Sequence, residues 1–174
     1  MRRHRYATLR QESIEYHSGN PNAQALPYLQ AAIKEAMRLS MASPVRLTRI
    51  VPESGMSFRG YHIPGGTNVG IGAGQLHLNP QVYPNPKEFM PERWENPTPE
   101  MQRDWIPFGM GNRACPGRAM STTSMFEAMK RIVASNVLAG AQTVENKIET
   151  KEWFSSHVVG DRILLVWPRG RQAV

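Results

Sequence analysis

Apolar residues recur at helical spacing in several segments of the chain. The clearest stripe consists of Leu29, Ile33 and Met37, and Pro27 suits the first turn of a helix that carries it. The predicted helices span Tyr6–His17 within an N-terminal region of short helix and loop (residues 1–25), Leu26–Ser40 within residues 26–41, and Arg118–Leu138. The pattern therefore predicts a largely helical chain whose longest helix lies in its second half.

Short alternating runs, separated by Gly and Pro, predict small β-sheets rather than one large sheet. The predicted strands are Val45–Val51, Ser57–Arg59, Tyr61–Ile63 and Thr67–Ile71 in a small-sheet region (residues 45–72), and a C-terminal hairpin within residues 150–168 that pairs Trp153–Val159 with Arg162–Trp167. After a brief helical turn over Gln75–Leu78, the proline-rich residues 79–107 predict an ordered meander without regular structure. The predicted fold class is mainly α with small β-sheets (α+β), in one domain.

Composition narrows the class of protein. The 174 residues carry 21 Lys and Arg against 14 Asp and Glu, a net charge of +7, and the single cysteine excludes an intramolecular disulfide and a multi-cysteine zinc site. The longest apolar run that we find, Ile163–Trp167, is far shorter than the ~20 residues needed to cross a bilayer. The basic residues are scattered among acids without interleaved aromatics, so we predict no nucleic-acid binding.

The candidate chemistry lies in residues 108–117, where a Gly-rich loop meets the start of the longest predicted helix. The side chain of Cys115 lies just before this helix, where unpaired N–H groups and the positive end of the helix dipole favour a thiolate over a thiol. Gly109 and Gly111 allow tight turns, and Gly117 allows a flat, bulky group to approach closely. Arg113 adds a positive charge suited to a carboxylate of a bound ligand.

Two other interpretations of this loop stand beside the first. A lone cysteine is often a buried small hydrophobic residue. The spacing Gly109-x-Gly111-x-x-Ala114 also matches a loose dinucleotide-binding pattern. That match is weak because residues 105–108 do not resemble a buried parallel strand, and because Cys115-Pro116 would interrupt the expected helix start.

A resemblance to a known family favours the ligand interpretation. The pattern Phe-x-x-Gly-x-Arg-x-Cys-x-Gly, formed by Phe108, Gly111, Arg113, Cys115 and Gly117, resembles the haem-binding loop of the cytochrome P450 monooxygenases. The resemblance implies that Cys115 is the axial thiolate on the iron of haem b, that Arg113 binds a haem propionate, and that Phe108 packs near the sulfur. An anionic sulfur ligand favours O–O cleavage on such an iron.

Two further segments resemble parts of the same family. Glu35 and Arg38 match its Glu-x-x-Arg helix, although their position off the apolar stripe would by itself favour an exposed ion pair. Pro91-Glu92-Arg93-Trp94 matches its Pro-Glu-Arg-Phe/Trp segment, whose arginine joins the helix pair in a buried network behind the haem. The resemblance therefore implies that Glu35 lies between Arg38 and Arg93.

Arg49 and two histidines complete the candidate residues. Arg49 falls on the same face of its predicted strand as the apolar residues Leu47 and Val51, so it either has a buried anionic partner or lies at a bulge or edge that turns it to solvent. The resemblance implies that it binds a haem propionate. His62 and His77 lie in segments that also resemble the family, and we interpret them as loop and surface residues rather than ligands.

The resemblance covers the C-terminal part of the family's fold, and the N-terminal and distal-helix regions of that fold are not recognisable here. It implies a haem-thiolate monooxygenase, or a fragment of one, of a microsomal, fungal kind that inserts one oxygen atom from O₂ into an apolar small molecule of secondary or xenobiotic metabolism. Electrons would come from NADPH through an acidic reductase, with Arg118 and Lys130 as docking charges. Family members of this type are usually anchored to the endoplasmic reticulum membrane on its cytoplasmic side, and the anchor is absent here. The alternative is a truncated, non-catalytic relative that binds haem weakly or acts only as an interaction protein.

Overall fold

The computed structural model describes residues 2–18, 26–40, 42–43, 45–144, 149–152, 155–160 and 162–167. The helices are α1 (Arg2–His17), α2 (Pro27–Ser40), α3 (Ala73–His77), α4 (Pro99–Asp104) and α5 (Arg118–Ala134), with 3-10 turns at Pro91–Trp94 and Gly111–Arg113. The strands are β1 (Arg46–Ile50), β2 (Met56–Phe58), β3 (Tyr61–Ile63), β4 (Asn68–Gly72), β5 (Gln142–Thr143), β6 (Thr150–Glu152), β7 (Ser156–Val158) and β8 (Leu165–Val166). The predicted fold class, helices with small sheets, is confirmed.

Helix α2 is the centre of the packing. It contacts α1, α5 and the 3-10 turn Pro91–Trp94, and Leu29 is among its fully buried side chains. The carboxylate of Glu12 on α1 accepts the N–H groups of Tyr28 and Leu29, at 2.8 and 2.9 Å. A negative charge at the start of a helix satisfies free N–H groups and opposes the helix dipole. A side chain from α1 therefore caps α2.

The strands form two-stranded antiparallel sheets, and the sheet of β1 and β4 contacts the segment before Cys115, because Arg49 on β1 donates to the Met110 carbonyl. Arg49 pairs across this ladder with Val69. Leu47 is half-buried and Val51 is buried, but Arg49 between them is exposed. Of the two alternatives for Arg49, the structure has the solvent-exposed one, because the sheet face is covered only toward its ends.

The meander is more regular than predicted. It includes the 3-10 turn Pro91–Trp94 and helix α4, so the prediction of no regular structure over residues 79–107 is wrong. Pro99 takes the first turn of α4, and the Thr98 hydroxyl accepts the Met101 N–H at 3.2 Å. A threonine cap before a proline is a helix-start signal that proline content concealed. The meander also supplies core residues, since Tyr83 and Trp94 pack with Ala31 and Met101.

Two predictions for the C-terminal part are wrong. Helix α5 ends at Ala134 rather than Leu138, and Asn136 has a left-handed φ of +55° that stops it. The predicted hairpin does not form: β7 pairs with the preceding β6, and β8 pairs with β5. Trp153, Phe154 and Asp161 lie outside the described residues. Alternation identifies residues of a strand but not the strand's partner, which is why the pairing was mispredicted.

Candidate functional site

The cysteine loop, residues 105–117, connects α4 to α5 and is closed by its own backbone hydrogen bonds. Cys115 N–H donates to the Phe108 carbonyl at 2.8 Å, and Gly109 N–H donates to the Ile106 carbonyl at 3.0 Å. Gly109 and Gly111 have φ of +73° and +71°, the left-handed region that glycine adopts without a Cβ clash. The first bond joins the two ends of the glycine turn, so the backbone holds Cys115 opposite Phe108.

The loop presents its sulfur to solvent. Cys115 is exposed, two residues before the N-cap Gly117 of α5, so the alternative of a buried small hydrophobic residue is wrong. A Cβ placed on Gly117 would lie 3.7 Å from Cys115 Sγ. The missing side chain therefore leaves room beside the sulfur. The dinucleotide interpretation also fails, because helix α4 and an irregular segment, not a parallel strand, precede the loop.

Two arginines from different elements lie at this loop. Arg49 on β1 donates to the Met110 carbonyl at 3.3 Å and to its neighbour Thr48 at 2.8 Å. Arg113, in the 3-10 turn of the loop, is exposed. Neither guanidinium forms an ion pair with a carboxylate of the described residues. Two cations without protein counter-charges suit an anionic ligand that lies against the loop.

The residues around Cys115 determine what kind of metal group fits there. Among the residues that the structure describes, no group of three or more His, Cys, Asp and Glu could hold a bare metal ion. Within that part of the chain, Cys115 suits a metal that carries its other ligands with it, as a porphyrin does with four nitrogens. The open sulfur, the missing Cβ at Gly117 and the two arginines fit such a flat, anionic, metal-carrying group.

Behind the loop, the Glu35 cluster is buried on α2. Arg38 donates twice to the Glu35 carboxylate, at 2.9 and 2.8 Å, and Arg93 Nε donates to it at 2.9 Å. Trp94 Nε1 and the Met90 N–H donate to the same carboxylate at 3.0 Å each. The side chains of Glu35 and Arg38 are fully buried, and that of Arg93 is 6% exposed. The exposed ion pair that periodicity favoured is therefore wrong.

The cluster also ties the meander to α2. Arg38 Nη1 donates to the carbonyls of His77 and Pro86 at 2.6 and 2.7 Å, and Arg93 Nη1 donates to Pro84 at 3.1 Å. Burial alone would raise the pKa of Glu35, but the hydrogen bonds from Arg38 and Met90, together with the charges of Arg38 and Arg93, lower that pKa below its ordinary value. Glu35 is thus held as a carboxylate.

Four predictions about individual side chains have different outcomes. His62 is exposed, on β3 rather than in a loop. His77 is 1% exposed, so its interpretation as a surface residue is wrong. The apolar residues on either side of it, Leu76 and Leu78, were the sequence feature that could have indicated burial. Lys130 is also buried; it donates to Glu127 at 2.7 Å and lies over the Tyr16 ring. The prediction that Lys130 is a docking charge for a reductase is therefore wrong. Arg118 is exposed.

Comparison with known proteins agrees with this geometry. A family model described as Cytochrome P450 matches residues 8–159. The chain belongs to the cytochrome P450 family. Membership implies a haem cofactor, and the family's monooxygenases are oxidoreductases. Among the described residues, no helix combines the length and apolar character that a membrane span requires.

Fungal P450 monooxygenases are among the relatives. A cytochrome P450 monooxygenase of Annulohypoxylon moriforme is 38% identical over 83% of this chain and 31% of its own length. A protein named fusicoccadiene C-8 hydroxylase, from Alternaria brassicicola, is 45% identical over 60% of this chain and 20% of its own length. A crystal structure of a cytochrome P450 superposes with a TM-score of 0.71 and 22% identity, over 92% of this chain and 38% of that one. The chain thus spans about a third of the length of the Annulohypoxylon relative.

Proposed function

We propose that this chain forms the haem-binding, proximal part of a P450 monooxygenase, with Cys115 as the axial thiolate. The observation that carries the proposal is the exposed Cys115 sulfur in a loop closed by the Cys115–Phe108 hydrogen bond. Arg49 and Arg113 bind the two propionates, and the absence of a Cβ at Gly117 lets the porphyrin approach. Gly109 and Gly111 supply the turn, and Phe108 packs near the sulfur.

Each of these groups has a separate task. Haem held by the Cys115 thiolate would supply O₂ activation and O–O cleavage. Cys115 would donate electron density to the iron, and the positive end of the α5 dipole would stabilise the negative sulfur. The arginines bind the carboxylates and thereby orient the ring. The Glu35 cluster keeps the meander, and with it the segment that enters the loop, against α2.

The proposed reaction inserts one atom of O₂ into a C–H bond of an apolar small molecule and releases the other as water, with two electrons and two protons. Relatives named fusicoccadiene C-8 hydroxylase support an apolar substrate of fungal secondary metabolism. NADPH supplies the electrons through an acidic reductase, which docks on a basic surface that includes Arg118. Family members of this kind are usually held at the endoplasmic reticulum membrane, on its cytoplasmic side.

The ligand assignment is tested by adding haem to the purified chain, reducing it under carbon monoxide and recording the Soret band. We expect the red-shifted band of thiolate ligation, and its loss in Cys115→Ser. A spectrum that this substitution leaves unchanged would overturn the assignment. Turnover is tested separately, as NADPH consumption coupled to product in the presence of a reductase.

The propionate assignment has a matched control on the same chain. We expect Arg49→Gln and Arg113→Gln each to weaken haem binding by about tenfold or more, since a charge-assisted hydrogen bond contributes roughly 1.5–3 kcal/mol. Arg59→Gln removes an equally exposed arginine that lies over the Phe58 ring, away from the loop, and leaves the affinity unchanged. Equal losses in all three variants would mean that only net charge matters.

A further inference from the structure

His77, the last residue of α3, makes two side-chain hydrogen bonds in a fully buried position. Its Nε2 lies 3.0 Å from the Ile106 backbone nitrogen, and its Nδ1 lies 3.1 Å from the Arg38 carbonyl oxygen. A backbone N–H can only donate and a carbonyl can only accept. Nε2 therefore accepts the Ile106 hydrogen, and the neutral ring carries its own hydrogen on Nδ1, which donates to Arg38.

This ring connects α2 to the entrance of the cysteine loop. Ile106 is two residues before Phe108, whose carbonyl accepts the Cys115 N–H, and the Ile106 carbonyl accepts the Gly109 N–H. On the other side of the ring, Arg38 forms an ion pair with Glu35. Arg38 Nη1 also donates to the His77 carbonyl at 2.6 Å. One hydrogen-bonded path thus runs from the Glu35 cluster through the imidazole to the glycine turn that presents Cys115.

We propose that His77 is a positioning residue that holds the cysteine loop in register with the Glu35 cluster through the imidazole bridge between the Arg38 carbonyl and the Ile106 N–H. The role toward haem rests on the proposed function. The role toward the loop is a property of the chain without haem. Loss of the bridge leaves a buried donor and a buried acceptor unpaired, one on each element, so the loop loosens from α2.

The surroundings keep the bridge in its working form at neutral pH. The pKa of His77 is lowered to about 4, mainly by burial; the nearby Arg38 charge acts in the same direction, and the hydrogen bond to the Arg38 carbonyl and the Asp104 charge act against it. Arg38 and Asp104 are the charged groups that act on the ring from α2 and α4. A proton on Nε2 would set two N–H groups against each other at Ile106, so only the neutral ring can bridge.

The test uses amide hydrogen exchange on the full chain without haem, in His77→Phe, His77→Gln and the control His62→Gln. Phe keeps a ring but has no nitrogen, whereas Gln carries one donor and one acceptor. We expect the Cys115 amide to exchange at least about tenfold faster in His77→Phe. It stays near the native rate in His77→Gln and in the exposed-site control. The Val51 amide, bonded to Thr67 in the β1–β4 region, keeps its rate throughout.

Several outcomes would overturn this role. One is a Cys115 amide unaffected in His77→Phe, and another is a Val51 amide accelerated equally, which would indicate general destabilisation. If His77→Phe does not fold, ¹⁵N spectra of the native ring decide: a hydrogen on Nε2 contradicts the bridge, and one on Nδ1 supports it. With haem, we expect a smaller red-shifted fraction in His77→Phe and its recovery in His77→Gln. Absence of that band in the native chain would defeat the proposed function but leave the exchange result standing.

Discussion

Replacing Glu35 with glutamine tests whether the buried cluster stabilises the fold. Glutamine has nearly the same shape, but it is neutral and offers one acceptor oxygen in place of two. The native carboxylate accepts five hydrogen bonds, from Arg38 (two), Arg93, Trp94 and the Met90 N–H. In Glu35→Gln, an NH₂ group faces donors at one of these positions, and two buried guanidinium groups lose their shared counter-charge.

The expected loss follows from burial. Arg38 is fully buried and Arg93 is 6% exposed, so water does not replace the carboxylate. Removing one member of a buried ion pair costs roughly 3–5 kcal/mol, because the partner charge stays buried without compensation. The carbonyls of His77 and Pro86 still accept from Arg38, which favours the lower end of that range. A domain's total stability is about 5–15 kcal/mol, so the change is large.

Urea unfolding followed by far-ultraviolet circular dichroism measures this loss. Glu127→Gln is the matched control, because it removes the carboxylate of another i,i+3 pair whose Glu is 42% exposed, and we expect it to shift the midpoint little. A Glu35→Gln variant that loses less than about 1 kcal/mol would show that the buried charges are not coupled as described.

Four further outcomes are expected. Between the ordinary histidine pKa of 6.5 and the His77 pKa of about 4, the unfolded chain binds a proton that the folded chain does not. Stability therefore falls with falling pH by up to about 3 kcal/mol. Below the ordinary pKa of a glutamate, protonation of Glu35 adds to this loss of stability. Urea midpoints that stayed constant as the pH fell would contradict the roles of both His77 and Glu35. Gly109→Ala, at φ of +73°, destabilises the chain by about 1 kcal/mol. Gly117→Ala, at φ of −80°, leaves the thermal stability equal or higher but weakens haem binding. An unchanged affinity for haem would refute a close approach of the porphyrin to Gly117. Glu12→Gln lowers the free energy of unfolding by roughly 0.3–1 kcal/mol, seen in urea titration, through the cap of α2.

Local patterns were sufficient for α2, for the start of α5 and for the position of the cysteine loop. The α2 stripe, the glycines around Cys115 and the punctuation by Gly and Pro each act over a few residues, so they can be read directly from the chain. Family resemblance then indicated what the loop binds. The same local reasoning failed for the C-terminal strands, because the pairing of β8 with β5 depends on residues more than twenty positions away.

The amino-acid sequence by itself determined most of the helix and strand segments, the basic charge and the position of the single cysteine near a helix start. Only the tertiary structure decided which charged groups are buried. Sequence reasoning placed Glu35, His77 and Lys130 at the surface, but each is buried, and partners from distant segments hydrogen-bond to each of them. A charge or an imidazole is stable inside a protein only with such partners. The periodicity of one element carries no information about partners on other elements.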